Sequence, residues 1–406
     1  MQRKLHAGVP FILICILLDI LGIGLIIPVL PQLVGTLSDS QASQAWWLGS
    51  MLVAYGLMQF CFAPTLGALS DRFGRRPILL LGIFGLGIMF FLPAVSNSLP
   101  LILFSRVLGG MFAGNIAVAQ AYIADVTPKE KRAAAFGKLG ACFGIGFIFG
   151  PAIGGFLGEY DLRMPFILAG GLSLLNFLYG LLVLPESLRK ENFKPFSFRR
   201  LNPLSALFQL SKFRCIGSLI AVIALVSFAQ SMMHSTWTLF TNFRFGWTPM
   251  NIGLSLVVIG IVNVIVQGFL MKKLLGWLGH KRLILLGIWT NCVAYFAFGS
   301  ITYGPLMYIV IFLNFISFAV PPTLNSIVSH SVDADQQGAA MGTIASLNSL
   351  MGVAAPLLGT PLLVHTAAQQ QNSMLGGMPY FICSLLLAFA ALLAAKHFQR
   401  SEPERL

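Results

Sequence analysis

The chain has 406 residues, 57% of them hydrophobic and only 10% charged, with a mean hydropathy of +0.83. Soluble domains carry about 25% charged residues, so a water-soluble enzyme or binding domain is excluded. A net charge of +13 invites a nucleic-acid reading, which fails once the basic residues are placed along the chain.

Apolar runs of about 20 residues, each enough to cross a hydrocarbon core about 30 Å thick, recur from end to end. Twelve transmembrane helices are predicted, near 9–34, 46–69, 78–97, 100–124, 135–157, 164–184, 213–238, 250–271, 283–302, 304–328, 339–364 and 378–396. The chain starts with basic residues and an apolar run, as a signal peptide would. That run continues past Asp19 to Val34 with no small-residue cleavage site, so a retained first span is expected. Of the 26 lysines and arginines, 23 fall in the tails and even-numbered loops. Only Arg163 and Arg244 occupy odd-numbered loops, and Arg106 lies within a helix. Basic residues mark the cytoplasmic side, so both termini are expected to face the cytoplasm from an inner-membrane protein surrounded by bilayer, with no nucleic-acid partner. Six cysteines are scattered without a CxxC pair, which gives no support to a disulfide framework or a metal site.

Asp19, about ten residues into the first span, is the acidic residue placed well inside a helix; at about 1.5 Å per residue it lies near mid-membrane. A carboxylate there is expensive and marks a functional site by default. Arg106, about six residues into the fourth span from the opposite side, has comparable depth. The two residues are expected to come within reach of one another. Either Asp19 exchanges protons with Arg106 biasing its charge, or the two form a fixed ion pair between the first and fourth helices. Between helices two and three runs Gly67-Ala68-Leu69-Ser70-Asp71-Arg72-Phe73-Gly74-Arg75-Arg76-Pro77. Gly74 permits a tight turn there, and Arg75 and Arg76 hold the loop at the cytoplasmic face.

From Gly137 to Gly155 the sequence reads GKLGACFGIGFIFGPAIGG. Gly146, Gly150 and Gly154 share one helical face, with Gly140 and Gly144 on a strip beside it. In lipid such a bare surface lets another backbone approach closely. Pro151 in mid-helix is tolerable where neighbours re-satisfy the freed carbonyl. A glycine-lined contact with no transport role satisfies the same spacing.

The second half repeats the first. An offset of 205 carries Gly74 to Gly279, Leu80-Leu81-Gly82-Ile83 to Leu285-Leu286-Gly287-Ile288, Gly137 to Gly342, Pro151 to Pro356 and Gly154 to Gly359. Two six-helix bundles are implied, at 1–185 and 213–406, with 186–212 as a basic cytoplasmic linker lying partly on the membrane. Parallel repeats of this kind place substrate near the midplane between halves that rock. Polar candidates for a pocket are Tyr55, Gln59, Asn115 and Gln120 in the first half. In the second they are Gln230, His234, Asn263, Gln267, Asn291, Asn314, Asn325 and Asn348, with Trp237 on the face of Gln230 and His234. Each could equally serve helix–helix hydrogen bonds, worth about 1 kcal/mol.

The spacing of Gly137, Gly146, Gly150-Pro151 and Gly154-Gly155 resembles the fifth-helix signature of proton-coupled drug exporters in the major facilitator superfamily. The Gly67 to Arg76 loop resembles that superfamily's G-x-x-x-D-R-x-G-R-R signature at every fixed position. The resemblance implies a conformational latch of Gly67, Asp71, Arg72, Gly74, Arg75 and Arg76, with Asp71 contacting the start of helix eleven near Gly338 to Gly342 and loop arginines pairing with Asp125. The second-half copy carries Gly276 in place of Asp71, so its latch is degenerate. Leu18 to Pro31, Arg106 to Gly110 and Ala124-Asp125 are similar to tetracycline-resistance pumps. Met89 and Asn291 stand where those pumps carry acidic residues, and Asn263 where they carry a histidine, which puts tetracycline itself in doubt.

An all-α major facilitator fold is therefore expected, exporting a small organic molecule, drug-like or an anionic metabolite or siderophore, in exchange for protons. No cofactor beyond the proton gradient is called for, and a monomer suffices. Import with the same ion is the alternative. The sequence holds no HExxH, GxSxG or GxxxxGK[ST] motif, so an enzyme is not expected.

Overall fold

A computed structural model describes residues 8–128, 131–188, 217–331, 337–367 and 374–400. Among these residues every regular element is a helix. In the first half they are α1 (Gly8–Ile26), α2 (Leu30–Thr36), α3 (Gln41–Phe73), α4 (Arg75–Val95), α5 (Leu99–Phe112), α6 (Asn115–Val126), α7 (Arg132–Tyr160) and α8 (Met164–Val183). The second half has α9 (Gly217–Phe245), α10 (Pro249–Ile265), α11 (Met271–Ser300), α12 (Leu306–Leu313), α13 (Val320–His330), α14 (Gln337–Ala367) and α15 (Met378–Arg400). Large apolar side chains such as Leu175, Leu182, Phe269 and Leu385 stand exposed along these helices, as expected where the surroundings are lipid.

Among the described residues ten helical stretches are long and apolar enough to cross a membrane, or eleven if Leu306–Leu313 and Phe315–Ser329, bent by 47°, count as one. The difference from the expected twelve lies in Pro249–Ser300, a stretch of 52 residues that holds both the eighth and the ninth predicted runs. A π turn at Val266–Leu270 joins its parts, and Gly279 interrupts it with a φ of +66°.

The chain forms two compact units. One comprises Met1–Ser40, Ser50–Pro203 and Thr248–Val257; the other comprises Gln41–Gly49, Leu204–Trp247 and Val258–Leu406. The division cuts α3 after Gly49 and α10 after Val257, so that each helix contributes residues to both units. Most of the expected linker, 189–212, lies outside the described residues.

In the first unit α1 packs against α7 and α8. A Cβ on Gly150 would sit 2.7 Å from Gly24 Cα, one on Gly146 would sit 2.5 Å from Ile20, and one on Gly154 would strike the Leu25 carbonyl. Gly155, on the neighbouring face, meets the Pro249 carbonyl at 2.6 Å from the start of α10. The glycine strip is therefore a two-sided backbone contact. Gly137 and Gly140 have nothing within 4 Å of a Cβ, so the strip works only through its later members.

The internal repeat is visible in packing. Gly74 (φ +102°) separates α3 from α4, and its counterpart Gly279 breaks Pro249–Ser300; both hold a positive φ that other residues resist. Gly82 faces Asn115, and Gly287 faces Val320, the same pair shifted by 205. Arg163 and Arg244, the two exceptions to the basic-loop pattern, have matching tasks. Arg163 donates to the Ala94 carbonyl at 3.4 Å and the Ser96 carbonyl at 3.3 Å, at the end of α4. Arg244 Nε donates to the Ile301 carbonyl at 2.7 Å, at the end of α11. A cation suits a helix C-terminus, where the last carbonyls lack intrahelical donors.

Gly150→Leu should force α1 and α7 apart and destabilise the protein by about 1–3 kcal/mol, read as a lower thermal unfolding midpoint in detergent. Gly140→Ala should stay within about 0.5 kcal/mol of the parent.

Candidate functional site

Asp19 is half-buried on α1. Asn176 of α8, fully buried, donates from one amide nitrogen to Asp19 Oδ1 at 2.9 Å and to the Cys15 carbonyl at 2.9 Å. One side chain thereby ties two consecutive turns of α1 to α8 and turns the carboxyl group into the unit. Asn176 escaped the sequence reading, although a lone amide in the middle of an apolar run is the signal that marks it.

Arg106 on α5 is only 4% exposed. Among the described residues it has no carboxylate within 4 Å, since the ion pairs there join Arg75 to Asp71 and to Asp125. The expected approach of Asp19 and Arg106 to pairing distance does not occur. The reason is aromatic. The guanidinium carbon lies 5.9 Å from the centre of the Tyr55 ring and 5.9 Å from that of Phe90, and the Phe90 ring also packs against Gly22 of α1. On the side towards α1, Arg106 thus meets a ring, while Asp19 finds Asn176. Gly110, one turn beyond Arg106, lets the Tyr55 backbone press onto α5 and so brings the tyrosine ring beside the cation.

The remaining first-half candidates divide. Asn115 is buried and donates to the Leu79 carbonyl at 3.0 Å, so it fastens α6 to α4 where the fourth span is broken. Gln59 is half-buried and Gln120 exposed.

In the second unit Gln230 and His234 line a cavity of about 230 Å³ together with Ser227, Ser231, Asn325 and Asn348. Ser227 donates to Asn348 Oδ1 at 2.7 Å across its wall. The two serines were missed, yet 227, 230, 231 and 234 follow the three-and-four spacing of one helical face. Trp237, expected on that face, is 1% exposed and turns instead into ring contacts with Phe298 at 5.3 Å and Trp247 at 6.4 Å. Gln267 Nε2 donates to Asn263 Oδ1 at 2.8 Å, and Asn314 Nδ2 to Asn291 Oδ1 at 3.0 Å. These four amides pair with one another rather than line the cavity.

The loop between α3 and α4 is a dense polar knot. Arg75 reaches Asp71 at 2.7 Å, Asp125 at 3.0 Å and Ser70 Oγ at 2.6 Å. Its backbone N–H and that of Arg76 donate to the two oxygens of Glu186, at 2.9 and 3.1 Å. Glu186 therefore caps α4 from 111 residues away, and a Cβ on Gly74 would collide with it. Arg76 also donates to the Leu181 carbonyl at 2.5 Å. Arg72 is exposed, and Gly67 has nothing within 4 Å of a Cβ. The expected contact of Asp71 with helix eleven falls partly on 338 and 339, whose side chains lie outside the described residues. Glu186 was read only as the start of the linker; no local pattern reveals a cap supplied from so far along the chain.

Residues 12–356 match the sequence profile of the Major Facilitator Superfamily. The chain belongs to that superfamily. It is 36% identical over 384 residues to the class C tetracycline resistance protein of Escherichia coli, covering 94% of this chain and 96% of that protein. It is 34% identical to the class B protein of Escherichia coli over 362 residues, 89% and 90% of the two chains. The crystal structure of the human organic anion transporter MFSD10 superposes with a TM-score of 0.70 at 25% identity, over 97% of this chain and 99% of that one. This facilitator is accordingly an all-α, multi-pass membrane transporter.

Glu186→Ala should remove the cap of α4 and cost about 0.5–2 kcal/mol, measured as a lower unfolding midpoint. Glu186→Gln keeps an acceptor and should lose less.

Proposed function

We propose that this facilitator exports a small organic molecule, drug-like or anionic, from the cytoplasm in exchange for protons. It works as a monomer of the inner membrane with both termini in the cytoplasm. The proton gradient is the sole driving force, and no bond of the substrate is made or broken. The observation that carries this reading is the state of Asp19: a carboxyl group at mid-span, held by a single amide donor and engaged in no ion pair among the described residues. A carboxyl locked to an arginine would resist protonation, whereas one that shares only a neutral donor can accept and release a proton as its access to water changes.

Relatives named for tetracycline resistance support export of a small molecule. The segregation of lysine and arginine supports the orientation. Tetracycline itself is less favoured, because the resemblance implies ionisable residues in those pumps at the positions of Met89, Asn263 and Asn291. Asn263 and Asn291 are moreover occupied by Gln267 and Asn314. The cavity of the second unit offers hydroxyl, amide and imidazole groups but no carboxylate, which suits neutral or anionic cargo over cationic cargo.

The test is proton movement in vesicles of known orientation. Adding substrate at the cytoplasmic face should drive protons towards that face, and Asp19→Asn should reduce the coupled flux at least tenfold while leaving the unfolding midpoint near that of the parent. Undiminished proton-driven transport in Asp19→Asn would remove the coupling role. Substrate and protons moving in the same direction would replace export by import.

A further inference from the structure

Arg106 and Arg75 are both buried arginines of the first unit, and they differ in one respect. Arg75 has two carboxylates and a hydroxyl around it. Arg106 has two aromatic rings and a distant hydroxyl, Ser105 Oγ at 3.5 Å from Nε. Its two terminal nitrogens have no hydrogen-bond partner among the described residues. They are also absent from the fully enclosed polar atoms that lack one, such as Arg76 Nε. They therefore keep a little accessible surface, within a side chain only 4% exposed. The unit thus holds a cation whose terminal nitrogens have no protein acceptor among the described residues and which lies beside two rings.

A guanidinium withdrawn from bulk water is stable when an anion completes it, and its parallel N–H groups match the two oxygens of a carboxylate. No side chain among the described residues supplies that anion. We infer that the counter-ion of Arg106 is the transported molecule: the substrate of this facilitator is an organic anion whose carboxylate, or a group of like geometry, sits on the Arg106 fork. The inference rests on the export reading and narrows its substrate class. Tyr55 and Phe90 define what else the ligand needs. With two rings beside the guanidinium, an apolar or aromatic body next to the charged group packs where a hydrated inorganic ion does not. Asp19 stays free for its proton, because Asn176 and not Arg106 holds it.

The probes are 1-naphthoate and its uncharged amide, 1-naphthamide, titrated by calorimetry into the purified full chain. Naphthoate should bind at least tenfold tighter than naphthamide, and sulfate at equal concentration should not displace it. In Arg106→Gln, with folding checked by thermal unfolding, the two compounds should bind within twofold of each other. If Arg106→Gln does not fold, Arg106→Lys keeps the charge and loses the fork, and should weaken naphthoate 3- to 10-fold without affecting naphthamide. Equal affinity for acid and amide in the parent, displacement by sulfate, no naphthoate binding up to about 10 mM, or an undiminished preference in either folded variant would overturn the inference. Protons take no part in this measurement. Its failure leaves proton-coupled export standing, whereas naphthoate binding without proton exchange in vesicles removes the export reading alone.

Discussion

Lipid gives a helix neither water for its polar groups nor a hydrophobic reason to associate, so every contact that holds α1 in place must be made by close packing or by an internal hydrogen bond. Both are used on opposite sides of one helix. Towards α7, Gly24 lies on Gly150 and Leu25 on Gly154, a seam in which backbone meets backbone. Towards α8, Asn176 binds the Cys15 carbonyl and the Asp19 carboxyl together. The position of the one carboxyl group of α1 is therefore set by two neighbours at once. The glycines make the seam thin, and the asparagine sets which way the carboxyl turns.

The arginines of this facilitator show how the same side chain takes different work from its surroundings. Arg163 and Arg244 lie at the ends of α4 and α11 and satisfy terminal carbonyls, which is local helix chemistry. Arg75 is enclosed by acids and ties the ends of three spans into a knot whose last member is Glu186. Arg106 alone of these four is given rings in place of acceptors. A structural role would be served better by a partner such as Asp71 or Asp125, and the absence of one among the described residues fits a partner that comes and goes.

In the second unit polar groups divide between internal pairing and display. The Asn263–Gln267 and Asn291–Asn314 pairs sit where the helices are irregular, at the π turn of Val266–Leu270 and at the break after Leu313. Amide pairs there satisfy one another in a medium that will not. Gln230 and His234, on the regular part of α9, face a cavity instead, with Ser227 and Ser231 filling out the same stripe.

By itself the sequence determined the membrane class, the internal repeat, and the break at Gly74 with its counterpart at Gly279. These depend on composition and on spacing along a single helix, where 3.6 residues per turn is the only geometry needed. The close approach promised by Gly146, Gly150 and Gly154 was legible for the same reason. Tertiary structure decided which neighbour each polar side chain meets. It gave Asp19 to Asn176 and surrounded Arg106 with Tyr55 and Phe90. It also turned Trp237 away from Gln230 and His234, and capped α4 with a carboxylate from beyond α8. Each of these choices follows from the rotation of one helix against another, which is set by summed packing across many residues and is written in no single stretch of chain.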